Sequence, residues 1–241
     1  CGFRPILEVA QDVTSLANSN EIFSGWLQAF NNGGLKGATH WAFDASHTEV
    51  NQLAASKDVL GDDRARLIAE LDLEFPNDNG LLVSVLMNQV TLQPGQALFL
   101  PAGNIHSYLS GLGVEVMAAS DNVLRGGLTK KPIDLEELMQ LLIFEPLIDP
   151  LAQAKMLSQG LEEYPVPVED FSFYRVAPSS DCMLVDLALN GSAILVCVAG
   201  EITLSNSLDE LIQLAPGEAA FMRAANFFSI TGSGTGYLAM G

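Results

Sequence analysis

The 241 residues are 49% hydrophobic, enough to bury a full core as one large or two modest domains. A formal charge of −18, from 11 basic and 29 acidic residues, argues against nucleic acid and anionic membranes as partners, since both need a positive surface. No apolar run approaches the roughly 20 residues that span a bilayer, and no secretory leader is visible. The three cysteines, Cys1, Cys182 and Cys197, are odd in number and lack metal-type spacing, so a reducing cytoplasm is the default.

The chain opens on Cys1 in "CGFRPILEV", which reads as the middle of a protein. Residues 1–75 read as helical. Ile6, Val9, Val13 and Leu16 follow a 3.6-residue period, and "SGWLQAFNN" and the segment from Thr48 to Leu73 continue in that manner. "FPNDNG" at 75–80 breaks the pattern. From Leu81 the texture predicts strands: "LLVSVLMNQVTL", a Pro94-Gly95 turn, "QALFLP", "HSYLSG" and "GVEVMAAS". A helix is expected at about 134–144, with Asp134 as cap and Glu137 completing a capping box. A mixed helical connector then runs to about Tyr164, and strands from "PVPVEDFSFYRV" continue onward.

An internal repeat organises the strand regions. Leu92-Gln-Pro94-Gly95-Gln-Ala97-Leu-Phe99 matches Leu214-Ala-Pro216-Gly217-Glu-Ala219-Ala-Phe221, and the ungapped alignment sets His106 opposite Phe228. A Pro-Gly turn, a small-apolar strand and a histidine-bearing strand form the pattern of a cupin, a small double-sheet barrel. Two copies imply two barrels, the second filled by apolar side chains and free of metal. His106, one of three histidines, is either a metal ligand or a hydrogen-bonded core histidine in a strand. Tyr108 shares its face if the segment is extended. Arg125, Lys130 and Lys131 fall within seven residues after a stretch from Arg66 without a basic residue. They make either an anion site or a solvated cluster. His40 and His47 lie in the helical part and read as surface or capping residues.

"PAGNIHSYLSG" followed by "VEVMAASDNVLRGGLTKKPID" closely resembles the type I mannose-6-phosphate isomerases. "CGFRP" and "YPVPVEDFSF" resemble further segments of that family, so the resemblance extends along essentially the whole chain. It implies a mainly β bicupin, two double-sheet β-barrels with the first incomplete, and an inserted α-helical domain. The implied domains are a helical domain at 1–78, part of the catalytic cupin at 79–133, a helical connector at 134–163 and a C-terminal cupin at 164–241.

The resemblance also implies a zinc-dependent aldose–ketose isomerase acting on mannose 6-phosphate and fructose 6-phosphate. His106 matches the zinc-ligand histidine of the family, Arg125 its catalytic, anion-stabilising arginine and Glu115 an acidic active-site residue. Tyr108 matches a position lining the sugar pocket. Lys131 matches the lysine of a "TPK" segment, but Lys130 stands where that segment has proline, which leaves open which lysine faces phosphate. Glu115 is left as either base or orienting partner. The family's remaining zinc ligands belong to "QxHP" and "KPE" motifs that this sequence lacks, and they are expected upstream of Cys1. The competing reading is a non-catalytic sugar-binding or regulatory bicupin that keeps the pocket without the metal.

Overall fold

The computed structural model describes residues 1–120, 123–179, 184–206, 210–223 and 227–241. They form a mixed α and β architecture rather than a mainly β one, and divide into two compact units. One holds residues 1–91, 100–110 and 121–150; the other holds 92–99, 111–120 and 151–241. No helix among the described residues is long and apolar enough to cross a membrane.

In the first unit, helices α1 (Ile6–Ser19), α2 (Ser24–Asp44), α3 (His47–Ser56), α4 (Asp62–Glu74) and α5 (Gly80–Leu86) follow one another, with 3-10 turns at Glu21–Phe23 and Lys57–Leu60. Helix α1 buries Val9, Val13 and Leu16 on one stripe, while Ile6, the first residue of the expected series, is 51% exposed. Helix α2 kinks at Gly34, whose φ of 56° and ψ of −144° are non-helical; a Gly-Gly pair is a common site for such a break. Trp26 donates its indole N–H to the Ala38 carbonyl across this kink at 3.0 Å and stacks on Trp41. Helix α3 begins with a Ser46–Glu49 capping box, satisfying two orphan backbone donors.

Residues 81–86 are a correction to the sequence reading. The run expected to open the strand region is α5, and every residue of this helix is buried. Its ends are held by polar groups. Asn79 donates to the carbonyls of Ala42, Phe43 and Ala45, tying its entry to the end of α2. Arg4 and Arg64 donate to Val85 and Ser84 at its exit, where cations complement the helix dipole. Asp12 pairs with both arginines.

Strand β1 (Ala97–Leu98) is the one regular strand among the described residues 88–133, and helix α6 (Leu135–Leu141) follows with Asp134 accepting from the Glu137 amide. The expected strands over "HSYLSG" and "GVEVMAAS" are not formed. The connector to Tyr164 is also not mainly helical. It carries β2 (Leu151–Ala152), β3 (Lys155–Ser158) and β4 (Leu161–Glu163).

The second unit then builds its sheet from β5 (Ser172–Val176), β6 (Leu184–Ala188), β7 (Ala193–Asn206), β8 (Leu211–Leu214), β9 (Ala219–Met222) and β10 (Phe227–Met240). The order is β3-β4-β5-β10-β7-β8, with β6 also on β10 and β9 also on β7, while β1 pairs β2 separately. The two 14-residue strands pair antiparallel along their length. Each changes outer partner midway: β7 pairs β9 through 193–196 and β8 through 202–205, and β10 pairs β6 near 227–230 and β5 through 236–240.

A bulge manages that change. Ala199 faces Thr235 and Cys197 faces Gly236, so Val198 has no register partner. The buried set accordingly moves from Ala193, Leu195 and Cys197 to Ile202 and Leu204, an odd-to-even switch that one extra residue must produce. Gly200, at φ 68°, passes so close to β10 that a Cβ there would lie 2.1 Å from the Ser233 carbonyl oxygen. These inward residues join Val176, Leu214, Met222, Phe228, Ile230 and Leu238 in one apolar core.

Candidate functional site

The sequence directs attention to residues 101–131. Pro101-Ala102-Gly103-Asn104 forms a turn in which Asn104 donates its amide to the Pro101 carbonyl at 3.2 Å and Gly103 supplies φ 81°. The Gly103 carbonyl accepts from Ile143, and the Ile105 carbonyl accepts from Gly2 at 2.7 Å. His106 is thus delivered by a segment fixed on either side of the turn. "CGFRP" helps to fix it: Asn88 donates to the carbonyls of Cys1, Phe3 and Leu147 and knits that stretch to its neighbours.

His106 is exposed. Its Nδ1 lies 3.0 Å from the Asn104 carbonyl oxygen. A carbonyl only accepts, so in the neutral ring this contact calls for the proton on Nδ1 and leaves Nε2 with its lone pair. Metal-binding histidines are commonly oriented by such a bond. The Tyr108 ring, 73% exposed, meets His106 edge-on with centroids 6.3 Å apart. The two side chains therefore do lie together, although the segment is not a regular strand.

Arg125 is half-buried, and among the described residues neither it nor Lys130 or Lys131 makes an ion pair. Both lysines are exposed. The next residue, Gly126, packs on Ile105: a Cβ at position 126 would lie 2.8 Å from Ile105 Cδ1. The segments carrying His106 and Arg125 are consequently neighbours within one unit. Glu115 belongs to the other unit. It is exposed, alternating with the half-buried Val114 and Val116.

One acidic residue was not singled out by its sequence. Asp78 Oδ1 accepts from the Gly80 amide at 2.7 Å and the Leu128 amide at 3.0 Å, joining the start of α5 to the "RGGL" turn. Gly127 has φ 103°, Leu128 has φ 52°, and a Cβ on Gly127 would sit 2.8 Å from the Gly80 Cα. The signal available was "PNDNG", where an Asp before Gly favours a side-chain-to-backbone turn. Nothing in the sequence pointed to Leu128 as its second partner.

Zinc chemistry normally calls for three protein ligands and an open position. Among the described residues no group of three His, Cys, Asp or Glu side chains could hold a metal ion. His106 is the residue the sequence puts forward for such a site, and no three-donor group forms around it among the described residues. His40 is engaged with Asp44 one helical turn on, at 2.8 Å, and His47 opens α3.

No family model matches the sequence. The chain is 44% identical over 175 residues to the mannose-6-phosphate isomerase of Escherichia coli, covering 72% of this chain and 43% of that protein. It is 31% identical over 256 residues to the mannose-6-phosphate isomerase of Schizosaccharomyces pombe, covering 94% of this chain and 62% of that one. Among solved structures, the mannose 6-phosphate isomerase of Salmonella typhimurium bound to fructose 6-phosphate and zinc superposes with a TM-score of 0.85 at 30% identity, over 99% of this chain and 62% of that chain. The chain spans about half the length of the relatives it matches.

Proposed function

We propose that this homologue of the mannose-6-phosphate isomerases serves in a zinc-dependent aldose–ketose isomerase that interconverts mannose 6-phosphate and fructose 6-phosphate. The observation that carries the reading is the packing of Gly126 on Ile105, which sets the His106 and Arg125 segments side by side. Moving a proton between C1 and C2 of a sugar phosphate passes through an enediol. The protein must hold the phosphate, polarise the carbonyl and stabilise the charge that develops on oxygen. Arg125 is permanently cationic and presents a planar fork of donors to phosphate or the developing enediolate. Tyr108 lines the sugar site, and Lys130 or Lys131 meets the phosphate. Glu115 acts as base or as an orienting carboxylate. His106 is one zinc ligand, with the others expected upstream of Cys1, and bound zinc would supply Lewis-acid polarisation.

In this reading the architecture is a bicupin in a cytoplasmic enzyme. Residues 1–78 are the helical domain, 79–133 part of the catalytic cupin, 134–163 a connector and 164–241 the second cupin. The paired turns support the duplication. Gln96 and Glu218 each donate a backbone amide across their Pro-Gly turn, and each returns its side-chain oxygen to the first amide of that turn. The same two bonds in both copies are what a repeat predicts.

A second reading, a sugar-binding or regulatory bicupin without catalysis, is favoured by the lack of a three-donor group among the described residues. A coupled assay of fructose 6-phosphate turnover, with metal analysis, separates the two. The chain extended upstream of Cys1 should isomerise. Arg125→Ala should lower kcat about 100-fold or more with the fold kept, and His106→Ala should lose zinc. Full zinc occupancy in the histidine variant would remove His106 from the ligand set. A folded, metal-free and inactive protein that still binds fructose 6-phosphate would favour the binding reading.

A further inference from the structure

We infer that Asp78 is a positioning residue for Arg125, acting through the turn that follows the arginine; this rests on the isomerase reading above. The argument begins with the backbone. Three residues after Arg125 the chain passes through Leu128 at φ 52°, a left-handed conformation rare for leucine. Such a conformation persists only where the surroundings over-determine it. Asp78 is the group that does so, because its Oδ1 takes the Leu128 amide and the Gly80 amide together. A carboxylate accepting two amides makes stronger bonds than a neutral acceptor would.

The anchor beneath Asp78 is itself fixed. Its chain neighbour Asn79 is bonded to three carbonyls at the end of α2, and α5 beyond it is wholly buried. Glycine is required on both sides of the contact: a Cβ at Gly80 would lie 2.9 Å from the Leu128 amide nitrogen, and one at Gly127 would lie 2.8 Å from the Gly80 Cα. The "RGGL" turn is therefore pressed against the rigid start of a helix on one side and, through Gly126, against Ile105 on the other. Arg125 inherits its place from those two contacts. A cation that meets charge appearing only during reaction must be held before the reaction starts, and small displacements there are costly.

The test uses three variants of the chain extended upstream of Cys1. Asp78→Ala should accelerate amide exchange at Gly80 and Leu128 about tenfold and lower kcat by about ten- to 100-fold, with a much smaller change in KM. Asp78→Asn keeps an oxygen that can accept both amides and should restore kcat to within about threefold of the parent. If the alanine variant does not fold, Asp78→Glu takes its place, since one added methylene moves the acceptor off both amides. Unchanged exchange at Leu128 in the alanine variant would overturn the clamp. Faster exchange with parental kcat would overturn the positioning role, as would an asparagine variant as impaired as alanine or a folded glutamate variant with parental kcat. An inactive parent would instead sink the isomerase reading and with it the role toward Arg125, while exchange still shows separately whether the clamp exists.

Discussion

At the scale of single residues, the sequence located His106 and Tyr108 by their spacing of two, and the rings do meet. What it could not locate were residues acting through backbone, such as Asp78 and Asn79, whose partners lie 50 and more than 30 positions away. Tyr164 is a second case. It is 2% exposed and donates its phenol to the Gly95 carbonyl at 2.7 Å, so the first Pro-Gly turn is pinned by a residue 69 positions on. Burial, with Tyr237 and Glu162 adding to it and Arg175 opposing, raises the phenol from 10.0 to about 12. The folded chain thus holds the proton more tightly than the unfolded chain. This contribution is complete below pH 10 and is lost as the pH climbs from about 10 to about 12. Tyr164→Phe should cost about 1 kcal/mol at pH 7 by loss of the bond, and the gap to the parent should shrink in urea melts at pH 11. An equal gap at both pH values would show that the phenol proton is not coupled to folding.

At the scale of elements, the amphipathic helices were legible because each keeps one face in the core and one in water. Helix α5 was not, because burial on all sides erases the period and leaves an apolar run that reads equally as a strand. The reverse holds for 100–120, where strand-like residues have no strand partner among the described residues, since pairing is a non-local property. The bulge at Val198 was also hidden: an apolar residue among apolar residues gives no sign that it is the extra one. Its consequence can be tested by deletion. Removing Val198 leaves Ile202 four rather than five positions after Cys197, so an unbulged β7 keeps Ala193, Leu195, Cys197, Ile202 and Leu204 on one face and in register with β10. The deletion variant should therefore fold, with the second unit still melting cooperatively. Loss of that cooperative melting while the helical signal of the first unit persists would show that the bulge itself is needed where β7 changes partner.

At the scale of the whole molecule, the sequence shows a repeated eight-residue pattern, yet the units do not follow the chain as simple blocks. Residues 92–99 and 111–120 belong with the C-terminal strands, whereas 100–110 and 121–150 belong with the helices. No single cut releases either unit intact. The intervening segment also carries apolar side chains in water, with Tyr108 73%, Leu109 47%, Leu112 90% and Met117 60% exposed. An exposed apolar stretch outside any regular strand of the described residues is open to a protease or to another chain. Trypsin is blind here, because no Lys or Arg occurs between Arg66 and Arg125, but chymotrypsin reads Tyr108, Leu109 and Leu112. In the 241-residue chain these bonds should be cut first, while the β5–β10 region persists. In a chain extended upstream of Cys1 the same bonds should resist, on the proposed reading that the added residues complete the first cupin and bury these side chains. Early cleavage at Tyr108 that continues unchanged in the extended protein would mean that the upstream residues do not complete the barrel, and equal resistance of 100–120 and 172–241 in the shorter chain would mean that the barrel is not open.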